Sequence, residues 1–150
     1  MSIKKPGEGF RGEKGHIGYL LRQASHAFRL KIDDTLRRYG ITHPQFAVLS
    51  VLKFDPGLHA ADIARTCMLS RQAVKIIVAN LEQAELVSLK AHEVHGRIQE
   101  IYLTELGKKR LAQCMDLVEQ LEKQLLAELT PKEEKIIRAW LVRCAATFTT

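Results

Sequence analysis

The sequence predicts a mainly α protein, α-helical throughout except for one small β-hairpin. Three observations point there. Apolar residues recur at three- and four-residue steps over most of the chain, the period of a helix with one buried face. That period shortens only around Leu86–Leu89 and Ile98–Leu103. The length of 150 residues, 46% hydrophobic and 27% charged, suits one globular domain that needs neither disulfide nor metal to fold.

Each element has its own signal. Residues 1–15 combine Lys4, Lys5 and Pro6 with Gly7, Gly9, Gly12 and Gly15 and few apolar anchors, and are expected as a mobile N-terminal arm. Ile17, Leu20, Leu21, Ala24, Phe28, Ile32, Leu36 and Tyr39 then outline a long amphipathic helix over about 16–39, stopped by Gly40. Thr42 is an N-cap, Pro44 suits a first turn, and Gln45 completes a capping box. Phe46, Leu49 and Leu52 form the buried face of the helix they open. After the turn Asp55-Pro56-Gly57, a short helix from about Ala60 to Thr66 buries Ile63 and Ala64, with His59 at its cap position. Ser70 caps the next helix, in which Val74, Ile77, Val78 and Leu81 face inward. The two short strands follow, joined by the polar, Gly96-containing stretch Lys90–Arg97. Thr104 caps a second long helix with Leu111, Met115, Val118, Leu121 and Leu125 as its stripe. Thr130-Pro131-Lys132-Glu133 opens a final helix through Ile136, Ile137, Trp140 and Leu141.

Two short helices on a tight connection, followed at once by a polar hairpin, make the layout of a winged helix-turn-helix, here over about 42–103. In that layout the second helix enters a DNA major groove. The inward stripe leaves Arg71, Gln72 and Lys75 on the outer face of its first turns. Arg and Lys donate to guanine O6 and N7, and Gln pairs with adenine N6 and N7. Ser70 and the free N–H groups at the helix start can hold a phosphate. The same residues would also serve as an ordinary solvated face. A net charge of +6 favours a polyanionic partner, yet from Asp62 to Arg97 five basic residues stand against four acidic ones. Topology therefore carries the DNA reading further than charge does.

The ordered set Ile41-Thr42-His43-Pro44-Gln45-Phe46-Ala47-Val48-Leu49, Asp62-Ile63-Ala64, Leu69-Ser70-Arg71-Gln72-Ala73-Val74, Asn80-Leu81-Glu82-Gln83-Ala84-Glu85-Leu86-Val87 and Ile101-Tyr102-Leu103-Thr104-Glu105-Leu106-Gly107 resembles the MarR family of bacterial winged-helix repressors. The match is collinear from about Ile17 to Phe148. It implies a single MarR-type domain over 16–150, with dimerisation helices at about 16–39 and 104–148. It further implies a homodimer whose first and last helices intertwine and whose recognition helices read successive half-sites of a palindromic operator in double-stranded DNA. Arg97 falls at the wing-tip position that enters the minor groove, where a narrow, negative A·T-rich groove attracts a guanidinium. Two positions depart from the family pattern. His95 replaces the Asp that usually orients the wing Arg; a neutral imidazole could accept a bond from Arg97, and a protonated one would repel it. Glu85 stands where glycine is usual.

Ile17-Gly18-Tyr19-Leu20-Leu21-Arg22-Gln23-Ala24 resembles the opening of the family branch that responds to aromatic acids or their CoA thioesters. Arg22 and His26, one turn apart, could meet an effector carboxylate, with Phe46 and Leu49 as apolar wall. The competing assignment makes Arg22 an inter-helix salt-bridge residue and His26 a surface residue. The expected protein is thus a ligand-responsive, homodimeric repressor. Its rivals are an architectural, anti-silencing DNA-binding protein without effector, a redox-sensing regulator, and a winged helix that binds protein instead of DNA.

Other chemistries find little footing. Cys67, Cys114 and Cys144 are odd in number, widely spaced and without a CxxC, as expected of reduced thiols in a cytoplasmic protein. Cys67, on the Ile63/Ala64 stripe, reads as a structural thiol in preference to a redox sensor. No hydrophobic run follows the N-terminus, and no apolar stretch approaches the roughly 18 residues needed to cross a bilayer, so neither signal peptide nor membrane contact is expected. His92-Glu93-Val94-His95 has a spacing compatible with metal, but a structural zinc site wants four ligands and no Cys lies near; no metal or cofactor is expected. Nucleophile elbows, phosphate loops and paired catalytic carboxylates are missing, so an enzyme is not expected.

Overall fold

The computed structural model describes residues 2–149. Six helices and one hairpin follow in the predicted order: α1 Ile17–Leu36, α2 His43–Phe54, α3 Ala60–Thr66, α4 Arg71–Gln83, β1 Val87–Ala91, β2 Gln99–Leu103, α5 Glu105–Leu126 and α6 Pro131–Phe148. Short 3₁₀ turns occupy Gly9–Arg11 and Arg37–Tyr39. The chain divides into two compact units, Met1–Met115 and Asp116–Thr150.

The caps are those the sequence signals, except that the His59 side chain makes no capping bond at α3. Thr42 Oγ1 accepts from Gln45 N at 3.3 Å while Gln45 Oε1 accepts from Thr42 N at 3.0 Å, with Pro44 in the first turn. Thr130 and Glu133 repeat the arrangement at α6. Each box satisfies two N–H groups that the helix start would otherwise leave unpaired. Gly40 ends the first long helical segment in the left-handed region, φ +67°.

In the first unit, Leu36, Leu49, Leu52, Ile63, Leu81 and Leu111 are fully buried. The hairpin pairs antiparallel from Val87↔Leu103 to Ala91↔Gln99. A third chain segment joins it: Gly57 N donates to Ile101 O at 2.9 Å and Ile101 N to Leu58 O at 3.1 Å. The residues just before α3 are thereby laced to β2.

The Thr104-Glu105-Leu106-Gly107 signature acquires a physical reason. Thr104 Oγ1 donates to Glu85 O at 2.6 Å and accepts from Gly107 N at 2.9 Å, so one hydroxyl joins the entry of β1 to the start of α5. A Cβ on Gly107 would lie 2.0 Å from Leu86 O, so only glycine lets α5 lie this close. Glu85, where the family usually has glycine, adopts φ +61°.

Within residues 2–15, expected as part of a mobile arm, Phe10 and Arg11 pack against α1. Arg11 Nε donates to Gln23 Oε1 at 2.8 Å, Gln23 Nε2 donates back to Arg11 O at 3.3 Å, and the Phe10 and Tyr19 rings meet edge-on at 5.6 Å. Glycines that read as loosening the chain tighten it instead: a Cβ on Gly15 would lie 2.0 Å from Phe10 O. On α1 only Ile32 and Leu36 are buried, and Ile17, Leu21 and Leu30 are exposed. In the second unit α6 has no buried residue; Ile136, Ile137, Trp140, Leu141 and Val142 are all exposed.

Candidate nucleic-acid interface

The tight connection between α3 and α4 sets the direction of α4. Cys67 N donates to Ile63 O at 2.8 Å and Leu69 N to Ala64 O at 2.9 Å, closing α3, while Met68 takes φ +56° and stands 91% exposed. Val74, Val78 and Leu81 bury one face of α4, and Ile77 is half-buried beside them. Arg71, Gln72 and Lys75 are left exposed on the other face. Ser70 Oγ accepts from Ala73 N at 3.1 Å. The N–H groups of Arg71 and Gln72 precede the first intrahelical bond, from Val74 N to Ser70 O, and remain available to an anion.

Arg71 and Lys75 of α4, Arg97 and Gln99 of the wing, and His59 and Ala60 at the start of α3 line one open groove of about 580 Å³. The structure thus brings Arg71, Lys75 and Arg97 together, although Arg97 is 26 residues beyond Arg71 in sequence. None of the three enters an ion pair among the described residues. Ser70, Gln72 and His95 do not line the groove. The His95 ring stacks on His92 at 5.5 Å, and its backbone N–H donates to His92 Nδ1 at 3.1 Å.

The four effector candidates are not brought to one place. Arg22 and His26 line a groove on α1 with Arg11, Tyr19 and Pro6. Leu49 is fully buried, Phe46 half-buried, and neither lines that groove. A third hollow of about 390 Å³, apolar with Lys53 and Lys108 on its lining, lies among α2, β2 and α5. Sequence reasoning missed it because its residues come from three separated stretches, each unremarkable on its own helix or strand.

Two of the three thiols are quiet. Cys114 is buried and Cys67 half-buried. Burial pushes both thiols above their ordinary range, against a smaller opposite effect of Arg110 at Cys114. Thiolate is the reactive species, so neither position favours redox chemistry. No helix among the described residues is long and apolar enough to cross a membrane.

The helix–turn–helix, the laced hairpin and the cationic groove between them define a winged helix-turn-helix protein. The model of the MarR family matches residues 39–98. The HTH-type transcriptional repressor Rv2887 of Mycobacterium tuberculosis is 29% identical over 125 residues, covering 83% of this chain and 90% of the relative. The S. aureus MepR–DNA complex superposes with a TM-score of 0.83 at 26% identity, over 90% of this chain and 100% of that one. Rv2887 in complex with salicylic acid gives a TM-score of 0.70 at 27% identity, over 88% and 98%. Residues 39–98 thus carry a MarR-type match, and over most of its length the chain is similar to winged-helix transcriptional regulators of that family.

Proposed function

We propose that the protein is a homodimeric repressor that binds a palindromic operator and is released by a small aromatic acid or its CoA thioester. One observation carries the DNA reading: Arg71, Lys75 and Arg97, without ion-pair partners among the described residues, converge on an open groove between α4 and the wing. The three cations outnumber the one carboxylate that lines the same groove, Glu82, and DNA supplies both base acceptors and phosphates for them. The similar MepR structure is a complex with DNA, which supports DNA as the partner here. Arg71, Gln72 and Lys75 read base edges, Ser70 and the α4 N-terminus hold a phosphate, and Arg97 reaches the minor groove with His95 behind it.

The effector part draws on the salicylic acid bound to Rv2887 and on Arg22 and His26 sharing a groove that Arg11 makes more cationic. A ligand releases DNA when it binds better to a spacing of the two recognition helices that the operator does not accept. The deciding experiment is a gel shift on the promoter adjoining the protein's own gene, with and without aromatic acids. Arg71→Ala is expected to cost roughly 1–3 kcal/mol on the operator and to relax sequence preference. An equal loss on operator and random DNA would remove Arg71 from base reading. A low specificity ratio with no ligand response would make the protein architectural. Arg22→Ala with an unchanged ligand response would empty the α1 groove of its role.

A further inference from the structure

We propose that His59, His92 and Glu100 form a binding site for a divalent metal of zinc-like chemistry, which ties the wing to the start of α3. The sequence spacing drew attention to His92 and His95; the fold puts His59 and Glu100 beside His92 instead. One potential ligand atom from each of the three lies within 4.8 Å of the others, and all three side chains are half-buried. Zinc held at about 2.0–2.2 Å needs its tetrahedral ligands only about 3.4 Å apart, so a modest closure forms the site. Two imidazole nitrogens and one carboxylate select zinc, nickel or cobalt over magnesium or calcium, and leave a fourth position for water.

The three ligands stand on backbone segments that are already fastened to each other. Residues 57 and 58, next to His59, exchange hydrogen bonds with Ile101, the neighbour of Glu100. His92 N donates to Ile98 O at 2.9 Å across the hairpin. His59 occupies the cap position of α3, yet its side chain makes no capping bond and is free for another use. The groups behind the ligands fit as well. Asp62 Oδ2 lies 3.8 Å from His59 Nδ1, so a small closure would let Nδ1 donate to it and leave Nε2 for metal. Tyr102 Oη donates to Glu100 Oε2 at 2.7 Å and leaves the other carboxylate oxygen outward.

Loading has a structural consequence. His92 Nδ1 accepts from Val94 N and His95 N, each at 3.1 Å. If metal takes Nδ1, it takes the lone pair those donors use. If it takes Nε2, the ring proton moves to Nδ1, which then no longer accepts. By either route both contacts are released, and the wing turn that carries Arg97 rearranges. An effect on operator affinity rests on the DNA reading above; metal binding does not.

The test is calorimetric titration of zinc into untagged, metal-stripped protein, with amide NMR spectra alongside. One equivalent per chain is expected, with the Val94 and His95 amides among the shifted signals. His59→Gln and His92→Gln are each expected to weaken binding at least roughly 100-fold and Tyr102→Phe roughly 10-fold. His95→Gln is expected to bind as wild type does. Circular dichroism of each metal-free variant confirms that the fold is intact. Wild-type zinc affinity in His59→Gln, or binding that fails in His95→Gln but survives in His59→Gln, would overturn the site. If zinc binds as expected, equal operator affinity with and without it would discard the coupling to DNA and leave the site standing.

Discussion

At Glu85 the backbone is left-handed, φ +61°, and the Thr104 hydroxyl bond to its carbonyl holds it there. A side chain in that region costs roughly 1–2 kcal/mol that glycine does not pay. Glu85→Gly is therefore expected to raise stability by about 1 kcal/mol, read as a higher urea midpoint with unchanged slope. Gly107→Ala should do the reverse: a Cβ placed 2.0 Å from Leu86 O forces α5 off β1, at roughly 1–3 kcal/mol or more. Both positions stood out in the sequence pattern, but their reasons did not, since a φ angle and a helix-to-carbonyl approach are set by tertiary packing. His43 carries a pH dependence. Burial pushes its pKa down and Arg29 adds to this, against the opposing pull of Asp33. The folded protein thus binds this proton less readily than the unfolded chain does. Stability is undisturbed above the ordinary value of 6.5 and declines as the pH falls through it. His43→Gln is expected to flatten that decline in urea melts across about pH 5–8. An unchanged decline would clear His43 of it.

At the scale of elements, α4 was legible because its signals are local: a Ser cap, an apolar stripe at helical steps and a polar outer face all lie within residues 70–83. The hairpin was legible from the change of period. The groove was not, because Arg97 meets Arg71 and Lys75 only once β1 and β2 pair and fold beside α4. Nor was the proposed use of His59, which the sequence places at the cap position of α3 and which in the structure caps nothing. Ser70 has two jobs that substitution can separate. Its hydroxyl caps α4, so Ser70→Ala should lower stability by about 0.5–2 kcal/mol. Ser70→Asp keeps a capping oxygen and suits the helix dipole, so it should preserve stability while repelling a phosphate at the same place. The expected result is a stable protein with weakened affinity for operator and random DNA alike. Full DNA affinity in Ser70→Asp would take the α4 N-terminus out of the phosphate contact.

For the whole molecule, the chain's length was a better guide than its charge. Nine basic and four acidic residues fall within the first 40, so most of the surplus sits in the N-terminal turns and α1, away from α4 and the wing. What neither length nor charge foretold was how much apolar surface a single chain leaves in water. The stripes of α1 and α6 are regular enough to promise burial, yet Ile17, Leu21 and Leu30 on α1 and Ile136, Trp140, Leu141 and Val142 on α6 are exposed. Soluble monomers seldom expose contiguous apolar patches much beyond a few hundred Å². A helix written with an apolar stripe but without one buried residue is therefore incomplete alone. A second copy of the chain is the partner that the family resemblance implies, and a symmetric pairing would bury the same stripe on both copies. Replacing Trp140 and Leu141 together by Glu removes apolar area from α6 and would set like charges against each other in such a pairing. This variant is expected to sediment as a monomer at concentrations where the wild type sediments as a dimer. Its folded α4 and wing should retain weak binding to half-operator DNA while losing the tight binding to the full palindrome. A wild-type protein that sediments as a monomer at all concentrations tested would overturn the dimer, and with it the two-half-site reading of the operator.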